Sequence, residues 1–239
     1  MSRVVARLSF IALFAIAMAN VEAAVVAYLR EIYGIEDVIR DMPREFDRIA
    51  AIELSREAAT MVMLLSVGLV AGHRLQDRIG YFVFAFGAWD IAYYGWLMVF
   101  EGWPNSPFEW DILFLIPLPW WGPVIAPVMI ATMMCVGGAA AAVQAHAGIE
   151  WRMNWANVAI AATGIAIVLY AFMADAIAAL PDGREAVEQV RPSDFPWGVF
   201  LVGFAVMSWA GLRVTWPASS RLLLTSVESD RRLSEPSRG

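Results

Sequence analysis

Apolar residues in this chain fall into blocks long enough to cross a lipid bilayer, and that property decides most of what it can fold into. A hydrocarbon core of about 30 Å needs roughly 20 helical residues per crossing. Six blocks approach or exceed that length, at approximately residues 8–29, 58–73, 80–100, 124–146, 155–180 and 197–214. Only helices and closed barrels satisfy their own backbone inside lipid. Strand-type alternation at period two is absent, so the expected fold is all-α: a polytopic membrane bundle of about six transmembrane helices. Residues 1–216 read as one transmembrane domain, and 217–239 as an Arg- and Ser-rich tail.

Orientation follows from the arginines. Lysine is absent, and with the N-terminus inside, Arg3, Arg7, Arg74, Arg78, Arg152, Arg213, Arg221, Arg231, Arg232 and Arg238 all fall in cytoplasmic segments. Cytoplasmic loops carry such an excess of positive residues, so both termini are expected in the cytoplasm of a cell whose inner membrane holds the chain. The opposite loops hold Arg30, Arg40, Arg44, Arg48, Arg56, Arg184 and Arg191 among many more acids, which makes that surface acidic. Residues 1–23 also read as a signal peptide ending at Val21-Glu22-Ala23, but hydrophobicity resumes through Leu29, which favours a spanning helix.

Two connections carry patterns of their own. Between the first two spans, Ile32, Ile35, Val38, Ile39 and Met42 recur at helical spacing among charges, predicting an amphipathic helix on the outer face, broken at Pro43. Between spans three and four, Pro104, Pro107, Pro117, Pro119, Pro123 and Pro127 rule out an uninterrupted helix. That tract is too apolar for a solvated loop, and unpaired backbone is costly in lipid, so an interfacial or re-entrant position is expected. Trp103, Trp110, Trp120 and Trp121 then serve as an aromatic anchor at the interface, or as the wall of a lipophilic site.

Candidate chemistry rests on carboxylates. Asp90 lies about 15 Å of helical rise from either end of its span, and a charge at that depth costs about 2.5 to 3.5 kcal/mol on insertion scales. Such residues face partners, cavities or ligands. Glu22, Glu57, Asp111 and Asp175 fall in the outer half with it, and Tyr94 and Glu101 share its helix face. An outward-facing cavity lined by Glu22, Glu57, Asp90, Tyr94, Asp111 and Asp175, walled by Trp110, Trp120 and Trp121, is the expected ligand site. The competing arrangement has each acid bonded inside the bundle, fixing helix register.

Read as an enzyme, the chain offers Asp90 and Asp175 as a catalytic aspartyl pair, and the all-oxygen set suits a hard divalent cation. Read as a complex subunit, it offers His73 and His146, at helix ends on the same side, as axial ligands to a b-type haem. The lone Cys135 permits no intrachain disulfide. No Gly-x-Gly-Asp, His-Glu-x-x-His, Gly-x-Ser-x-Gly or phosphate-binding glycine loop is present. The absence of lysine removes Schiff-base chemistry, and an acidic chain with no basic patch beyond the inner rim does not suit nucleic acid. Binding or transport of a cationic or lipophilic small ligand is the expected function, with a lipid-phase enzyme and a non-catalytic subunit as alternatives. Six spans without an evident repeat are few for a self-sufficient carrier, which favours a homo-oligomer or a larger complex.

Overall fold

The computed structural model describes residues 2–35, 48–115, 117–151, 154–188, 190–192 and 194–234, with 216–234 as backbone. The amphipathic segment expected around Val38, Ile39, Met42 and Pro43 lies outside the described residues. The described residues form a helix bundle with one small β-hairpin. In order come α1 (Ser2–Tyr33), α2 (Arg48–Ala71), α3 (Leu75–Glu101), β1 (Trp110–Phe114), β2 (Trp120–Pro123), α4 (Ile125–His146) and α5 (Trp155–Ala179). A short 3-10 turn (Leu180–Asp182) and α6 (Arg184–Glu188) lead to α7 (Trp197–Ser234). Six of these helices are long and apolar enough to span a membrane. Their flanks expose Phe10, Leu13, Val62, Val70, Val99 and Val136, which suits lipid and not water.

Helix ends follow local chemistry. The α3 N-terminus is closed by Asp77, whose carboxylate accepts from the backbone N–H of Arg74 at 2.6 Å and of His73 at 3.0 Å. Its far end stops at Gly102, whose φ of 67° is the left-handed value a side chain resists. At α5 the Asn154 side chain accepts from Asn157 N at 2.8 Å. Backbone helix in α7 runs on through Ser234, beyond the boundary near residue 214 at which hydropathy ends.

The central element is α3, against which α1, α2 and α4 all pack. Its seam with α4 is built by small residues. A Cβ added at Gly138 would stand 2.5 Å from the Gly80 carbonyl oxygen and 2.6 Å from Phe84 N, so the two backbones touch. Close backbone approach through small residues is how helices gain dispersion energy where lipid removes the hydrophobic incentive to associate. A second seam joins α5 to α7, where a Cβ on Gly164 would meet Met207 N at 2.7 Å. The α5–α7 pair meets the remainder through α7 on α4 and through β2 on α5, while α4 and α5 leave a space between them.

The proline-rich tract resolves into an antiparallel hairpin. Trp110 pairs with Pro123, Asp111 with Gly122, and Ile112 with Trp121, before an irregularity near Phe114. Val124 N donates to Glu109 O at 2.9 Å and Ile125 N to Pro107 O at 2.8 Å, so the first turn of α4 is tied to the loop that precedes it. This pairing satisfies backbone groups of the proline-rich tract without a continuous helix. Gly122 lies on the Phe172 ring, where a Cβ would come within 2.7 Å, and lets the hairpin seat directly on α5.

Candidate functional site

The space between α4 and α5 is the middle of a cavity of about 830 Å³ that runs the depth of the bundle. Along α3 its lining includes Gly80, Val83, Phe86, Asp90 and Tyr93, spaced three and four apart as one helix face, and Tyr94 beside them. From Gly80 to Tyr94 that face covers about 21 Å of helical rise, so the cavity is a long slot. Small residues set its width on the other walls, among them Gly137, Ala141, Ala161, Ala162 and Gly211. Met133, Met134, Ile130, Val168 and Leu169 make the middle apolar.

At one end the hairpin closes the slot with Leu113, Phe114, Leu115 and Trp120. Charged groups collect there. Glu22, Arg30, Glu53, Arg56, Glu57, Asp90 and Asp111 all line the cavity, from four separate elements. Positions 22, 26, 29 and 30 of α1 line it together, a helical stripe that places Glu22 and Arg30 on one face.

Two ion-pair networks organise most of these charges. Arg56 on α2 pairs with Glu22 on α1 and, three residues back, with Glu53, whose Oε2 accepts from Arg56 Nε at 2.9 Å. Thr60 Oγ1 donates to Glu22 Oε2 at 3.0 Å, so α1 and α2 are joined inside the bundle by polar contacts. Arg30 forms the second network. Its guanidinium donates to Glu101 Oε2 at 2.7 Å, lies 3.6 Å from Asp111 Oδ1, and sits 4.3 Å above the Trp103 ring. The Tyr94 hydroxyl donates to the other Asp111 oxygen at 3.2 Å. Only 2% of Asp111 is exposed, and burial pushes its carboxyl up to about 6, with Arg30 and Tyr94 pulling the other way.

Two acids at this end lack a cation. Glu57 accepts a long 3.4 Å hydrogen bond from Leu115 N, and among the described residues no donor or guanidinium contacts Asp90. Among the same residues the buried Nε1 atoms of Trp89, Trp120 and Trp121 find no acceptor.

The sequence-derived set is thus brought together in part. Glu22, Glu57, Asp90, Tyr94, Asp111 and Trp120 line one cavity. Trp121 is buried outside the lining, and Trp110 packs edge-on against Phe195 in the apolar cluster behind the cavity wall, without lining the cavity itself. Asp175 sits in the last turns of α5 and does not line the slot, so Asp90 and Asp175 do not share it. The expected grouping of Asp90, Tyr94 and Glu101 divides, because Glu101 points to Arg30 at the rim. His73 and His146 are both exposed, and His73 Nε2 lies 3.2 Å from the Arg7 guanidinium, where it can only accept. Among the described residues no three His, Cys, Asp or Glu side chains converge as metal ligands.

Arg30, Arg56 and Glu53 are the functional-end residues that sequence reasoning left out of the ligand set. Spacing could have found them: Arg56 lies three residues from Glu53, and Arg30 lies two turns from Glu22. No family model, curated protein or solved structure matches the chain.

Proposed function

We propose that this membrane-spanning bundle binds a lipophilic, chain-like small molecule, with the chain along the apolar slot and the polar end beneath the hairpin. The observation that carries this reading is the shape and polarity of one cavity, about 830 Å³, apolar through its middle and charged at one end. That volume lies within the roughly 300–1,000 Å³ of small-molecule sites, which are mostly apolar with a few placed polar groups. A compact polar solute would leave the methionine- and valine-lined middle in contact with water. A chain of methylenes fills it at about 0.8 kcal/mol per buried CH₂. Two ion-pair networks hold the polar end open, so that the site exists before a ligand arrives and little of its binding free energy goes into reorganisation.

Gly137 offers the test. It lines the slot, and a Cβ built on it meets nothing within 4 Å, so Gly137→Leu enters empty space without disturbing the Gly138 seam. The variant is expected to fold and to weaken binding of a single-chain amphiphile with a brominated tail by about tenfold, read as quenching of tryptophan fluorescence by bromine near Trp151, which lines the slot away from the hairpin. Undiminished quenching in a folded Gly137→Leu protein would place the chain elsewhere and end the proposal.

A further inference from the structure

We infer that the polar end of the bound molecule carries a positive charge: the ligand class is a lipophilic amine, its ammonium received by the cavity-lining carboxylates Glu57 and Asp90. The inference rests on the slot reading above and deepens it. Charge accounting at the hairpin end comes first. Five carboxylates (Glu22, Glu53, Glu57, Asp90, Asp111) and two guanidiniums (Arg30, Arg56) line the cavity. Both guanidiniums are committed, Arg56 to Glu22 and Glu53, Arg30 to Glu101 and Asp111. Glu57 and Asp90 therefore form no ion pair of their own among the described residues, although Glu57 is only 9% exposed. Removing a carboxylate from water without a partner is costly, and a cation arriving with the ligand supplies that partner.

The aromatic wall is an independent observation that points to a ligand. Phe86, Trp89 and Tyr93, within about one turn of Asp90 on α3, line the slot, as does Trp120 on the hairpin. Ring faces attract a desolvated ammonium, most strongly those of tryptophan. Trp89 is only 5% exposed, and its buried indole N–H has no acceptor among the described residues, so an oxygen or other acceptor beside the ammonium would satisfy it. An anionic head is disfavoured by the same accounting. No guanidinium is left at this end, among the described residues, to receive a carboxylate or phosphate, and two unpaired acids would repel it.

The experiment uses full-length protein in zwitterionic nanodiscs and three probes with one chain: n-dodecylamine, n-dodecanol and n-dodecanoate. The amine is expected to bind about tenfold or more tighter than the alcohol, with dodecanoate the weakest. Asp90→Asn and Glu57→Gln should each lower amine affinity by about tenfold while leaving the alcohol's unchanged, a split that general damage to the site would not produce. Thermal unfolding of both variants checks that they fold, and either one alone suffices. Equal binding of amine and alcohol, or an equal loss of both in a folded variant, overturns the amine assignment and leaves the slot reading standing. Failure of all three probes to bind wild-type protein overturns both.

Discussion

The hairpin end of the bundle and the α3–α4 seam share helices but are built on opposite principles. At the seam nothing polar is needed: Gly80 and Gly138 bring backbone against backbone, and neighbours tolerate no added atom. At the hairpin end four elements contribute charged side chains, and the backbones stand apart around a space. The seam spends its residues on contact, so its substitutions act on folding. The hairpin end is divided further, between acids that join helices and acids that face the cavity without a cation. What a residue does here is set less by its type than by whether its partner lies within the chain. Glu22 is a buried carboxylate and Asp90 a half-buried one, yet the first has Arg56 and Thr60 and the second has cavity.

Removing the cation of the α1–α2 network should break that contrast most severely. Arg56→Met leaves Glu22 and Glu53 without their guanidinium, and loss of one partner from a largely buried pair costs about 3 kcal/mol, somewhat less where water reaches it. Unfolding of the detergent-solubilised variant measures it. Adding Glu22→Gln should recover about 1 kcal/mol or more by removing the orphaned charge; a cost that simply adds would show that the network does not join the helices. The seam comes next. Gly138→Ala is expected to destabilise by about 2 kcal/mol, since α3 and α4 must separate to admit a methyl group. Gly137→Ala, one residue away with nothing within 4 Å, should be neutral or gain up to about 1 kcal/mol from helix propensity. Equal effects at the two glycines would remove the seam from the account.

How much of this was legible in the sequence differs by element for physical reasons. Spans are a matter of length and apolarity, which need no tertiary information, and all six emerge as helices. Asp90 was legible because a mid-span acid has few places to go. The hairpin was not. Its prolines exclude helix, but its pairing depends on α4 and α5 seating Gly122 on Phe172, and no alternation announces it. Asp175 shows a different loss. Its helix is apolar on every side, as lipid permits, so the sequence does not say which side faces inward, and the structure turns Asp175 away from the slot. The arginines were counted as topology signals, and their spacing relative to Glu22 and Glu53 carried the pairing that topology alone does not use.

Acidification should give the smallest effect and the finest distinction between partnered and unpartnered acids. Asp111 has partners, Arg30 and the Tyr94 hydroxyl, with Glu101 nearby as an opposing charge, yet burial outweighs them and raises its carboxyl from 3.8 to about 6. A carboxyl with a folded value above its unfolded one binds protons more readily when folded, so its contribution to stability grows as pH falls from above 6 toward 4. Wild-type protein should therefore gain stability relative to Asp111→Asn over that window, measured as the difference between their unfolding midpoints at each pH. The reverse trend would mean that the Arg30 contact dominates and that Asp111 belongs with Glu22 among the acids that join elements. The expected trend makes it a partnered acid whose partners do not fully offset its burial, and sets it between Glu22 and Asp90.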